Sequence, residues 1–251
     1  DSRMIFTPTC SGLYRLMGSA KSIDEALITD DVKAIQAKTK AKRADDEQLL
    51  LDDLLSQTLS STAKEYIEEM LIQAKYGIRK FKGNKYTEKG NMVENDAIDF
   101  LMQHEFIFAE KNTERLNDGT LSGEWDVFYN GVIYDTKCSW DYFTMPKTRK
   151  NIESHTLDKG YDWQQLGYMR LLKNKGVEVS HAEVKYVLMP TPTELLYGQD
   201  DFELHHDFVL SLPVEKRIKT HRIEWCENRN ELIDIKVKSA QVYAEQIFGE
   251  I

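Results

Sequence analysis

The sequence predicts an α/β fold, with a central mixed β-sheet flanked by helices and an N-terminal helical region. Two observations carry this reading. Apolar residues recur at helical spacing before about residue 104 and again after 160, and strand-like segments cluster between 105 and 138 around an Asn130-Gly131 turn. With 41% hydrophobic and 30% charged residues and only five prolines, collagen-like, low-complexity and disordered classes are excluded. A chain of 251 residues buries one sizeable core, so a single domain over 1–251 is expected.

Taken in order, Thr7-Pro8-Thr9-Cys10-Ser11 ahead of Leu13, Leu16 and Met17 predicts a capped short helix that stops at Gly18. Residues 24–60 are rich in Asp, Lys, Ala and Leu and lack Pro and Gly, which predicts solvent-facing helices as an insertion. Ser60-Ser61-Thr62 caps a helix carrying Ala63, Tyr66, Ile67, Met70, Leu71 and Ala74, and a further helix runs from about 88 to 104. Strands are expected at 105–109, 122–129 and 132–138. Asn-Gly between the last two is a strong hairpin signal, because both residues tolerate positive φ. A helix over 161–174, strands over 183–189 and 221–226, and a final helix over 230–248 complete the pattern; residues 192–214 give no clear signal.

The net charge of −9 and pI near 5.3 argue against a protein that coats nucleic acid. Two stretches depart from that average. Lys75, Arg79, Lys80, Lys82, Lys85 and Lys89 stand against Glu88 alone, a local +5, and Lys137, Lys147, Arg149 and Lys150 against Asp141, a local +3. Either stretch is a solvated face or, beside an acidic site, a surface for a DNA backbone, with Lys80, Lys82, Lys85, Lys147 and Arg149 as candidate contacts. Cys10, Cys138 and Cys226 form no CxxC pair, which points to a reducing compartment and away from zinc. No apolar run reaches the ~18 residues of a membrane span, and no signal-peptide core is present; a cytoplasmic protein without a membrane partner is expected.

The hairpin carries the chemistry. With Asn130 and Gly131 as the turn, Tyr129 faces Val132, Phe128 faces Ile133, and Asp126 faces Asp135. Directly opposed Cβ atoms lie about 4.5–5.5 Å apart, where two like charges destabilise a sheet unless a cation lies between them. Lys137 shares the Asp135 face. Glu94 precedes Ala97, Ile98 and Leu101 by helical spacing, so it is either a further ligand on a buried stripe or a residue at that stripe's rim. Oxygen ligands suit Mg²⁺ or Mn²⁺, and Lys137 would orient or deprotonate an attacking water and stabilise a charged transition state. The plain alternative is an exposed hairpin with a salt bridge. No HExxH pattern, GxxxxGK[ST] loop or GxGxxG fingerprint offers a rival site.

Ser122-Gly123-Glu124-Trp125-Asp126 followed by Tyr134-Asp135-Thr136-Lys137 resembles the core hairpin of the PD-(D/E)-x-K nucleases, with Trp125 where the family has Pro. The resemblance implies Asp126 and Asp135 as metal ligands, the Thr136 carbonyl as a backbone ligand and Lys137 as the catalytic lysine. Gln164, Tyr168 and Leu171-Leu172 are similar to the QxxxYxxLL helix of RecB-type and lambda-exonuclease-like members, which implies Gln164 at the reacting phosphate or water and Tyr168 beside DNA. Lys89-Gly90, Glu94 and Ala97 resemble a helix of viral and YqaJ-type exonucleases, and 7–17 resembles their opening.

The resemblance spans about 7–190. It implies a restriction-endonuclease-like core and a Mg²⁺- or Mn²⁺-dependent exonuclease acting on linear double-stranded DNA in phage-type recombination. It also implies a single-strand annealing protein as partner and, in some members, a homo-oligomeric ring around DNA. A RecB-like or restriction-type endonuclease of the same superfamily is the nearest alternative, although the scattered cysteines disfavour an iron–sulfur branch. A non-catalytic DNA-binding or assembly protein on the same fold is the alternative from another class.

Overall fold

The computed structural model describes residues 6–251, which fall into two compact units. One holds the chain up to Lys80, residues 119–121 and the segment from Cys226 onward; the other holds 81–118 and 122–225.

The first unit is helical. A 3₁₀ turn (Cys10–Gly12), capped by the Thr9 hydroxyl on the Gly12 amide, leads into α1 (Leu13–Met17), and Gly18 ends it. Residues 24–60 form α2 (Asp30–Gln36) and α3 (Asp45–Gln57), which fully bury only Val32 and Leu51, packed in a small cluster with Ile23. The Ser60 hydroxyl caps α4 (Ser61–Tyr76), whose Ala63, Tyr66, Ile67 and Leu71 point inward, and Gly77 ends that helix in the left-handed region.

The second unit holds a four-stranded mixed sheet. It begins with α5 (Lys85–Glu105), which starts earlier than its apolar spacing predicts because the Asn84 carboxamide accepts from the Tyr86 and Thr87 amides. Two short strands that pair with each other, β1 (Leu116–Asn117) and β2 (Ser122–Gly123), precede the hairpin of β3 (Val127–Tyr129) and β4 (Val132–Cys138). The register is Tyr129 with Val132, Phe128 with Ile133 and Val127 with Tyr134, about Asn130 and Gly131, both at positive φ. Then come α6 (Arg149–Asp158), α7 (Tyr161–Asn174) and β5 (His181–Val187), which pairs parallel to β4. Three short helices, α8 (Gln199–Phe202), α9 (Phe208–Ser211) and α10 (Val214–Arg217), with a π turn at 203–207, lead to β6 (Ile218–Glu224), antiparallel to β5.

In the first unit the chain ends in α11 (Glu227–Ile247), which packs against α1, α3 and α4; its buried Lys236 donates to the Thr58 carbonyl. No helix among the described residues is long and apolar enough to cross a membrane.

The sheet order is β3-β4-β5-β6. Alternation along β4 separates two faces: Tyr134, with Val127 across the hairpin, meets Ile98 and Leu101 of α5, while Asp135 and Lys137 meet α7. Two strand expectations fail. Residues 105–109 form no strand, because α5 ends with Phe106 at φ 55 and the chain leaves as a loop. The 122–129 segment breaks into two strands, with Trp125 and Asp126 outside both.

Candidate active site

Asp135 is only 3% exposed, and its Oδ2 accepts two hydrogen bonds, from Lys137 Nζ at 2.7 Å and from Gln165 Nε2 at 3.0 Å. Period-two alternation brings Lys137 to the Asp135 face. The α7 helix covers that face because Gly160, at φ +68, reverses the chain after α6 and lets Tyr161 open the next helix. Lys137 Nζ stands 4.7 Å from the centre of the Tyr161 ring. Burial works against the Lys137 charge, but Asp135 and Tyr161 outweigh it, and the ammonium titrates above its ordinary range. Tyr186, beside Lys137 on β5, is fixed by a 2.8 Å bond to Thr156 of α6.

Asp126 reaches the site differently from its expected cross-strand pairing. The ladder ends at Val127 with Tyr134, and the Asp126 carbonyl accepts from the Asn112 amide at 2.7 Å. The Asn112 side chain also holds the Trp125 carbonyl. The Asp126 carboxylate then turns onto β4, where the Thr136 amide and hydroxyl both donate to Oδ2 at 2.6 Å. Burial first, and the charge of Asp135 second, raise its pKa to about 6 against the pull of those two donors. Two carboxylates brought together at a largely buried corner, both offering hard oxygens, fit a divalent cation of the Mg²⁺ or Mn²⁺ type.

Glu94 is not on the buried stripe. Val93, Ala97, Ile98 and Leu101 occupy it, and the Glu94 side chain lies at the rim, 42% exposed, where Lys111 Nζ bonds it and also reaches Asn95 Oδ1 at 2.9 Å. Among the described residues no three His, Cys, Asp or Glu side chains gather as a metal-binding group. Asp126 and Asp135 are therefore the pair the fold brings together, and Glu94 stands outside it. Lys111, whose charge is favoured first by Glu94 and further by Asp126 and Glu124, is a cation of this site that no sequence pattern marked.

No family model and no curated protein matches the sequence. Among solved structures, a phage-related exonuclease from Haemophilus somnus 129PT is similar with a TM-score of 0.78 and 30% identity, covering 98% of this chain and 97% of its own. The chain belongs to the lambda-exonuclease-like branch of the PD-(D/E)-x-K nucleases. The alkaline exonuclease LHK-Exo from Laribacter hongkongensis shares the fold at a TM-score of 0.50 and 12% identity, over 78% of this chain and 86% of its own. Its complex with dAMP matches over the same shares at 13% identity.

Several residues of this nuclease stand away from their expected places. Gln164 Nε2 donates to the Tyr168 hydroxyl at 2.7 Å, and it is the next residue, Gln165, that reaches Asp135. Tyr168 is buried against Trp125, so its side chain is not displayed to DNA. Lys147 is not a free cation: its ammonium donates to the carbonyls of Tyr142, Phe143 and Met145 and clamps that loop.

Lys80 is paired with Glu69, whose carboxyl is held at about 2 by Arg15 and then Lys80. Lys85 stacks over Trp140 and Tyr86, while Lys82 and Arg149 are exposed. Lys89, counted within the basic stretch, is buried, with its ammonium 5.9 Å from the centre of the Trp140 ring. Its Nζ donates to the Trp140 carbonyl, and burial lowers its pKa to about 8. Beside it, burial pushes the Cys138 thiol up to about 12, which makes it a poor nucleophile.

Proposed function

We propose that this nuclease is a divalent-metal-dependent exonuclease that hydrolyses phosphodiester bonds at the ends of linear double-stranded DNA, as phage-type recombination requires. One observation supports the reading above the others: Asp126 and Asp135 sit together beside β4 with Lys137 Nζ 2.7 Å from Asp135 Oδ2. Asp126, Asp135 and the Thr136 backbone carbonyl would hold Mg²⁺ or Mn²⁺, while Glu94 stays paired with Lys111 at the rim. When bound, a divalent ion neutralises phosphate charge and makes a hydroxide nucleophile accessible at neutral pH.

The chain's own residues then have separable duties. Lys137 is held as a cation by Asp135 and the Tyr161 ring, which suits it to oppose charge developing on the phosphate rather than to take a proton. Thr136 fixes the Asp126 carboxylate through its amide and hydroxyl. Gln164 acts from α7 through its bond to Tyr168, which keeps that part of the helix packed beneath the site. Lys82, Lys85 and Arg149 supply the cationic surface for the DNA backbone. An annealing protein and a ring of copies of this chain are the partners that accompany the reading.

Single-turnover cleavage of an end-labelled linear duplex in Mg²⁺, with closed circles as the control, tests it. Lys137→Ala should cut roughly 10²- to 10³-fold more slowly while retaining Mg²⁺ and DNA. Cleavage by Lys137→Ala at nearly the wild-type rate would remove the assignment.

A further inference from the structure

Gln165 is fully buried in α7, at 0% exposure. A carboxamide there is costly. Its Nε2 is used, on Asp135 Oδ2, but its Oε1 is buried and accepts no hydrogen bond from any described residue. An unsatisfied buried carbonyl costs about 1–3 kcal/mol. An apolar side chain of the same length would avoid that cost among neighbours such as Leu166 and Met169, both fully buried. Stability alone therefore does not account for a glutamine at this position.

The bond it makes does. Lys137 and Gln165 both donate to the same oxygen, Oδ2, and no hydrogen bond from a described residue reaches Oδ1. Lys137 alone would leave the carboxylate free to rotate about its own axis, since an ammonium on a flexible stem follows whichever oxygen is nearer. The planar amide on a rigid helix cannot follow. We propose that Gln165 is a positioning residue, which locks the Asp135 carboxylate so that Oδ1 is offered to the divalent cation and Oδ2 is kept for Lys137. The inference rests on the metal-dependent reading above and adds to it a residue lying next to the Gln164 that the QxxxY pattern singles out.

The test pairs Gln165→Leu with Gln165→Met. Isothermal titration with MgCl₂ alone should show Mg²⁺ binding weakened about 10-fold, the lower end of what loss of an orienting partner costs a metal site. On linear duplex DNA, kcat should fall by a similar factor with KM unchanged. The melting temperature of the metal-free variants should stay level or rise, because the orphaned carbonyl is gone. Wild-type Mg²⁺ affinity and kcat in either folded variant would overturn the inference, as would a lowered melting temperature with unchanged Mg²⁺ binding. Failure of both variants to fold would make Gln165 a structural residue and overturn it too. A wild-type chain that neither binds Mg²⁺ nor cuts DNA would overturn the proposed function itself, whereas an active wild type with indifferent variants would overturn this inference alone.

Discussion

Glu183 and Asp126 are carboxylates bordering β4, both partly buried and both bonded by two donors, yet their proton affinities move in opposite directions. At Glu183 burial opposes the charge, but the donors are Lys185 Nζ at 2.7 Å and the His181 ring at 3.2 Å, and the pKa falls below its ordinary value. At Asp126 the donors are the Thr136 amide and hydroxyl, and the pKa rises to about 6. Neutral donors satisfy the lone pairs of a buried carboxylate without balancing its charge. The Lys185 cluster, which also engages Glu105 and Thr220, holds its own counter-charge; at Asp126 burial and the charge of Asp135 outweigh the Thr136 donors and Lys137.

The largest effect that could break this contrast is at Lys185, which is almost wholly buried. Lys185→Met should leave Glu183 and Glu105 facing each other without their ammonium and cost about 3–5 kcal/mol in urea denaturation. Mg²⁺ affinity should not change. A cost under about 1 kcal/mol would show that the cluster does not depend on its lysine.

Asp126→Asn should do the reverse. A carboxylate with a raised pKa in the folded state destabilises the fold progressively as pH climbs from its unfolded value, near 4, through about 6. In EDTA at pH 8 the variant should gain about 1–3 kcal/mol over wild type, and near pH 4 the two should converge. Mg²⁺ binding should disappear at the same time. Equal denaturation curves at pH 8 would remove the claim that this carboxylate lacks counter-charge.

The smallest expected effect is at Glu183. Its lowered pKa contributes stability above the ordinary glutamate range, and that contribution is lost as pH falls through the folded value. Glu183→Gln should therefore flatten the acid limb of the stability profile by about 1 kcal/mol, read from chemical denaturation at successive pH values. An acid limb as steep as wild type would place the acid sensitivity elsewhere.

Local chemistry made much of this fold legible in the sequence. Asn130-Gly131 set the hairpin register, and apolar spacing marked α7 with its observed ends. What escaped depended on distant partners. Asp126 leaves the ladder because the Asn112 amide takes its carbonyl, a bond no periodicity reveals. In α6 only Ile152 and Thr156 are buried, too few to register as an apolar stripe. Glu94 missed the buried face because Val93 occupies that phase of α5. Gln164 and Gln165 are adjacent, about 100° apart around the helix axis, and only the position of β4 decides which of them meets Asp135.

The Lys147 clamp has a consequence for how Phe143 meets other molecules. Phe143 is 79% exposed, but its backbone lies inside a turn closed by Asp141 and Thr144, with the Lys147 ammonium on its carbonyl and those of Tyr142 and Met145. Ordering a loose loop costs about 1–2 kcal/mol of backbone entropy per residue at the moment of contact. Here those bonds already hold the backbone, so a partner that covers the phenyl ring would meet little of that backbone cost.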